Sequence, residues 1–312
     1  MKRSLVFLML LFLSLPLYAQ WDWGYEFGKE GTTGFQFLKI DVGARGNSMG
    51  GAYSSVSKGA EAIFWNPAGI AYVEGKDFFT CYTGWLCGMT HNAASVGLNF
   101  PSFGVLGISF LSLRLTDFEE TTVEKPDGTG RIVGAGVYAI GLGYAKRYTD
   151  KFSLGANVKF VAENLDGEFA SSFLFDVGTL YYIYEDIRMA TLISNIGGDA
   201  VYFYDSFRPP VSFKLGVADD IDLRNNLNLT LSAEWHHPTD ARERLNTGIE
   251  LRFMDRISLR GGYKFLSDTE TFTVGMGLLT SLGPFDGRLD YSYNNFRYSL
   301  GSVQRMSLGI NF

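Results

Sequence analysis

The chain has 312 residues, 46% of them hydrophobic and 15% aromatic, with 37 glycines, 8 prolines and a formal net charge of −6. The acidic balance disfavours a nucleic-acid partner, and the hydropathy is too low for a helical membrane protein, so the aromatic and glycine content describes a β-rich chain with close contacts between elements. Cys81 and Cys87 are its two cysteines; in one extended run they would lie roughly 20 Å apart, beyond the ~7 Å that a disulfide spans, and they are expected to be unpaired.

Met1-Lys2-Arg3 is a positive start, Leu5 to Leu15 an apolar run broken by Ser14, and Leu17-Tyr18-Ala19 a cleavage site before Gln20. This reads as a secretory signal peptide over 1–19, cleaved near Ala19. No Cys follows the cleavage site, which argues against a lipoprotein, and the apolar run is shorter than the ~20 residues of a spanning helix.

Residues 20–75 form a second segment. From Gly31 to Ala71 it has neither the alternation of a strand nor a sustained helical stripe. Gly43, Gly46, Gly50 and Gly51 permit tight turns, and Asn66-Pro67 opens a turn because Pro pushes the preceding residue out of the helical region. The segment is expected to be a slim coil with one or two short helical turns, the better of them from Gly59 to Trp65. Gly34 to Leu38, Val42-Gly43-Ala44-Arg45, Met49-Gly50-Gly51-Ala52 and above all Trp65-Asn66-Pro67-Ala68-Gly69 resemble the N-terminal region of the PorV/PorQ family, itself similar to the FadL-like long-chain fatty-acid transporter barrels. The resemblance implies a hatch that plugs an outer-membrane barrel from the periplasmic side, with Arg45, Met49, Gly50, Gly51, Trp65, Asn66, Pro67, Ala68 and Gly69 as its motif.

From Lys76 to Phe312 the pattern is period two, in segments of about ten residues separated by turn signals, as in a transmembrane antiparallel β-barrel. Leu227, Leu229, Leu231, Ala233 and Trp235 share one face against Asn228, Thr230, Ser232 and Glu234, and the same alternation recurs at 245–253, 257–265 and 288–293. About fourteen strands can be drawn. The even-numbered connections, such as Pro101-Ser102 and Met254-Asp255, are short, while Thr116 to Gly130 and Gly197 to Pro210 are long, as when turns face the periplasm and loops face outside. Middling connections are expected at Ala218 to Asn225 and Leu266 to Thr269. The chain stops on an alternating strand, with Met306, Leu308, Ile310 and Phe312 on one face. This resembles the terminal signal by which the barrel insertion machinery recognises its substrates, and it places the protein in the outer membrane of a Gram-negative cell, in contact with lipid.

Catalytic constellations are poor. His91, His236 and His237 have no ligand spacing with Cys or clustered carboxylates, no phosphate-cradling pattern follows a strand, and neither enzyme activity, a metal nor a cofactor is expected. His236-His237 is expected in an external loop. If the apolar faces meet lipid, the charges on the opposite faces point into the lumen, among them Lys159, Glu163, Lys214, Glu234, Glu250, Arg252, Arg260, Lys264, Arg288, Asp290 and Arg305. Their mixed signs suit a structural network that pairs with Asp41, Arg45 or Glu61 of the hatch rather than an ion filter, which needs one sign. The external stretch holding Tyr202, Phe203, Tyr204, Phe207 and Arg208 suits a partner or ligand site, or an aromatic girdle at the membrane interface.

Two functions follow. The PorV/PorQ resemblance implies a non-enzymatic partner in type IX secretion, binding the C-terminal domains of exported cargo and secretion-system proteins. The alternative is a FadL-like passive transporter of hydrophobic small molecules such as fatty acids.

Overall fold

The computed structural model describes residues 30–202, 204–223 and 226–312. The expected signal peptide, the beginning of the 20–75 segment and Phe203 lie outside the described residues.

Residues 76–312 close into a barrel of fourteen antiparallel strands. They are β1 (Lys76–Gly84), β2 (Thr90–Phe100), β3 (Gly104–Arg114), β4 (Ala135–Arg147), β5 (Phe152–Leu165), β6 (Glu168–Tyr182), β7 (Ile187–Gly197), β8 (Ser212–Asp222), β9 (Leu227–Pro238), β10 (Arg244–Phe253), β11 (Ile257–Phe265), β12 (Glu270–Leu282), β13 (Phe285–Phe296) and β14 (Gly301–Asn311). Each strand pairs with its neighbours in sequence, and the seam joins β1 to β14 in the register Phe78↔Ile310 and Tyr82↔Met306. Closure leaves no unpaired edge, the condition for placing strands in lipid.

Exposed and buried side chains alternate along the strands. Ile108, Phe110, Ile140, Leu142, Phe173, Phe175, Leu259, Met276 and Leu289 point outward and are exposed, as are Met306, Leu308 and Phe312, whereas Ser258, Arg260, Asp290, Ser292, Arg305 and Ser307 point inward and are buried. An apolar exterior around a charged interior is the inverse of a soluble barrel, and it identifies a membrane barrel of the outer-membrane type. Connections at the end holding Lys76 and Phe312 are two to four residues long. This is the periplasmic end, and the long connections 115–134 and 198–211 mark the external one. Each long connection carries a small ribbon of its own, Phe118–Glu119 on Ile132–Val133 and Ala200–Tyr202 on Asp205–Phe207.

Two boundaries differ from the sequence expectation. The ladder of β8 on β9 continues to Ile221↔Leu229 and Asp222↔Asn228, so most of the expected connection Ala218 to Asn225 is strand. The same ladder reaches Ser212↔Pro238. It therefore draws His236 and His237 into β9 rather than a loop, because strand alternation sends His236 to the lumen and His237 outward, where its Nδ1 meets Glu243 Oε1 at 3.0 Å. Cys81 is buried and Cys87 exposed, and neither is in a disulfide. The chain turns between them at Cys87, whose φ is 56°.

The described part of the 20–75 segment occupies the lumen. It holds four short turns: 3-10 turns at Gln36–Lys39, Ala60–Phe64 and Pro67–Tyr72, and an α-turn at Ala44–Ser48. Met49, Tyr53, Ile63, Trp65 and Ile70 are all buried. The core of the molecule is thus the filling of the barrel and not a layer between sheets.

Candidate functional site

The lumen segment is seated by what strands normally avoid. Mid-strand glycine weakens a sheet and marks close approach by another backbone. Here inward glycines from strand after strand follow the segment in order. A Cβ on Gly275 would lie 2.5 Å from Ser48 Cβ, one on Gly262 2.0 Å from Gly50 N, and one on Gly248 2.5 Å from Met49 O. A Cβ on Gly216 would meet Ser54 Oγ at 2.6 Å, one on Gly178 Asn66 Oδ1 at 2.1 Å, and one on Gly155 the Pro67 carbonyl carbon at 2.3 Å. Gly143 and Gly107 lie under Ile63 and Ile70, and Gly97 under Val73. The wall is thinned along the path of the chain it holds.

The Trp65-to-Gly69 motif organises the segment internally. Trp65 Nε1 donates to Val42 O at 2.7 Å, and its ring meets Tyr53 edge-on at 5.3 Å. Asn66 Nδ2 donates to Ser54 O at 3.1 Å and to Thr179 O at 3.0 Å, while its Oδ1 accepts from Ala68 N at 3.1 Å and caps the following turn. Pro67 takes the first position of that turn, where a missing N–H costs nothing. A Cβ on Gly69 would come within 2.3 Å of Ser57 O. Gly50 and Gly51 have φ of 66° and 76°, which glycine adopts freely. Backbone groups that the coil leaves over are satisfied by wall side chains: Glu234 accepts from Ser54 N, Asp77 from Ala60 N, and Arg188 Nε donates to Ser55 O.

Arg45 and Glu61 of the segment and five wall charges form a continuous, mostly buried chain. Glu61 pairs with Arg288 at 3.2 Å, Arg288 with Asp290 at 3.5 Å, Asp290 with Arg260 at 2.7 Å, and Arg260 with Glu250 at 2.5 Å. Glu250 also receives Arg252 at 2.8 Å and a two-pronged Arg45 at 2.8 and 2.9 Å. Apart from this chain, Lys264 bridges Asp41 at 2.8 Å and Glu270 at 2.5 Å. Charges taken out of water are tolerable only when paired this closely. Asp41, Arg45 and Glu61 come from the lumen segment and the others from β10 to β13, so the chain ties plug to wall.

On the external side of the segment lies a cavity of about 80 Å³ whose lining includes Leu38, Ile40, Val42, Phe64, Lys159, Asp176, Lys214 and His236. A second, of about 60 Å³, shares Leu38, Ile40, Phe64 and Asp176 and adds Leu111 and Ala139. Both combine an apolar side with ion-paired polar groups, such as Lys159 with Asp176 at 2.9 Å. On the periplasmic side, open clefts of about 710 and 400 Å³ meet at Lys58. The segment thus separates two sets of spaces.

The start of the segment is tied to the external end of the barrel. Gly34 N donates to Arg208 O at 2.9 Å, and Asp240, only 1% exposed, accepts from Thr33 Oγ1 at 2.5 Å, Gln36 Nε2 at 2.9 Å and Lys39 Nζ at 3.0 Å. Burial alone raises the Asp240 carboxyl, but these donors outweigh it and hold it below its ordinary range. The resemblance implies a hatch on the periplasmic side; the described segment instead runs the length of the lumen, from the external connections at Thr33 to β1 at the periplasmic end.

The aromatic loop divides. Tyr202 and Phe207 turn inward, stacked at 5.6 Å, and Phe207 meets Phe35 edge-on at 5.0 Å, while Tyr204 is 98% exposed. Arg208 contributes its backbone to the lumen segment. Sequence reasoning missed the glycine track and Asp240. The track was signalled by glycines at inward positions of otherwise alternating strands; nothing in the local sequence marks Asp240. Among the described residues no group of three or more His, Cys, Asp or Glu is placed to hold a metal.

No protein family's sequence profile matches the chain, and no curated protein is similar to it in sequence. Solved structures are similar in fold. The Pseudomonas putida toluene transporter TodX superposes with a TM-score of 0.61 at 13% identity over 86% of this chain and 96% of its own. The Ralstonia pickettii toluene transporter TbuX gives 0.57 at 12% over 86% and 97%, and a Pseudomonas aeruginosa FadL homologue 0.58 at 11% over 88% and 98%.

Proposed function

We propose that this protein is a non-enzymatic, passive outer-membrane transporter of a small hydrophobic molecule. One observation carries the reading: a closed fourteen-strand barrel whose lumen is filled by its own N-terminal segment, with partly apolar cavities above that plug and open clefts below it. The fold neighbours support it, two of which are named as toluene transporters and one as a FadL homologue. A ligand fitting the upper cavities is small, with an apolar body against Leu38, Ile40 and Phe64 and any polar end towards Lys159 and Lys214. An apolar side facing a set of charged and polar groups fixes orientation as well as affinity.

The secretion role implied by the PorV/PorQ resemblance is the weaker reading. Its expected contact surface is the external stretch, where Tyr202 and Phe207 stack on one another and Phe207 packs on Phe35, leaving Tyr204, among the described residues, as the fully exposed ring.

The test is uptake of radiolabelled toluene and of fatty acids of graded length by cells with and without the gene, alongside mass spectrometry of lipids and proteins that co-purify in mild detergent. Faster uptake with the gene, or a stoichiometric apolar molecule in the purified barrel, supports transport. Unchanged uptake with recovered cargo domains would replace it by the secretion role.

A further inference from the structure

The external end of the plug differs in kind from the rest. From Asp41 onward the segment is held by buried ion pairs and by contact with strand glycines, whereas Thr33 to Ile40 is held by burial of Phe35 and Phe37 in an apolar cluster and by polar contacts to two external connections, through Arg208 O and Asp240. Its outer side reaches solvent at Gln36, and its inner side, at Leu38 and Ile40, lines the 80 Å³ cavity. The strap therefore lies between that cavity and the external face.

Two observations mark the strap as poised rather than inert. Phe35 has φ 51° and ψ 37°, a left-handed conformation that a bulky side chain adopts only when its surroundings impose it. Those surroundings are Phe207, in edge contact with Phe35 and so close to Gly34 that a Cβ there would sit 2.1 Å from the ring. Three strap side chains also converge on one buried carboxylate, so a single group gathers the strap's polar side-chain contacts to the wall.

We propose that Thr33–Ile40 is a lid over the lumen cavity, latched on Asp240 and opened from the external side while the deeper plug stays seated. The lid serves entry if the transport reading holds, but its opening needs no substrate and can be read alone.

The test uses the full chain purified in detergent with Cys81→Ser and Cys87→Ser, carrying Ser212→Cys in the cavity wall, and measures the rate of modification by a charged methanethiosulfonate. Asp240→Ala is expected to raise that rate about tenfold or more, the effect of losing several hydrogen bonds to a charged group, while the barrel still melts as one folded unit. Where Asp240→Ala does not fold, Gln36→Ala with Lys39→Met removes two of the three strap donors and carries the same expectation. Arg131→Ala, which removes surface pairs at the same end of the barrel, is expected to leave the rate unchanged. An unchanged rate in the folded latch variants overturns the lid, as does an equal acceleration by Arg131→Ala. Failure of uptake assays with faster labelling removes the transport reading and leaves the lid.

Discussion

The two flanks of the plug are held by different physics. Against β2 to β6 lie Gly97, Gly107, Gly143, Gly155 and Gly178, and the plug meets them with Ile63, Asn66, Pro67, Ile70 and Val73. Against β10 to β13 it presents charge: Arg45 to Glu250, Asp41 to Lys264 and Glu61 to Arg288. The first flank depends on shape and tolerates no added atom. The second depends on charge balance and tolerates no missing partner. Gly248, Gly262 and Gly275 bring the same close contact to this second flank, so the segment is fixed by shape alone on one side and by shape and charge together on the other, and substitutions on the two sides should fail differently.

The steric flank should break hardest. Gly155→Leu puts a side chain where the Pro67 and Ala68 backbone lies, and backbone cannot move aside as a side-chain tip can. The expected outcome is loss of the heat-resistant barrel band on unboiled gels, with protein recovered unfolded; a normal band would refute the close contact. Next, Glu250→Gln leaves Arg45, Arg252 and Arg260 without their common carboxylate. Breaking a buried network of this kind costs about 3–5 kcal/mol, readable as a fall in denaturation midpoint in detergent. Because the pairs are buried, the loss should differ little between low and high salt.

Smaller effects sharpen the comparison. Asn66→Ala removes a cap worth about 1 kcal/mol and leaves Ser54 O and Thr179 O short of a donor, so its cost in the same unfolding experiment should fall between that of Glu250→Gln and that of a surface change. A double-mutant cycle of Glu61→Gln with Arg288→Met should give a coupling of about 0.5–3 kcal/mol; zero coupling would show that the pair only coexists. The external latch should give the mildest pH response. Asp240 has a folded pKa below its ordinary 3.8, so its stabilisation is present in full above that value and is lost as pH falls through the folded value. Melting temperature in detergent should therefore carry no latch contribution to any change between pH 5 and 8, and the difference between the protein and Asp240→Ala should shrink only in stronger acid.

Strand count, inward and outward faces and short and long ends were legible because each rests on a local rule. Period-two alternation places Glu250, Arg260 and Asp290 on one side of the wall whatever lies beyond them. The partners of those charges depend on how a coil without periodicity lies in three dimensions, and no local rule fixes the seat of Asp240, 201 positions from Lys39. The ends of β8 and β9 were misplaced for a related reason, since ladders stop where the neighbouring strand stops. The inward glycines were visible, but alone they read as weak points in strands. Only the coil lying against them turns them into a track.

That track has a consequence for how the molecule is made. The described chain begins beside the external connections, runs down the bore with its ionic groups already paired to the wall, and returns as β1, which closes the seam with β14. A finished ring could admit such a thread only by dragging Arg45 and Glu61 past a wall that fits its contents to within an atom. Curling the sheet around the thread avoids that passage, with the segment as the mandrel on which the cylinder is wound.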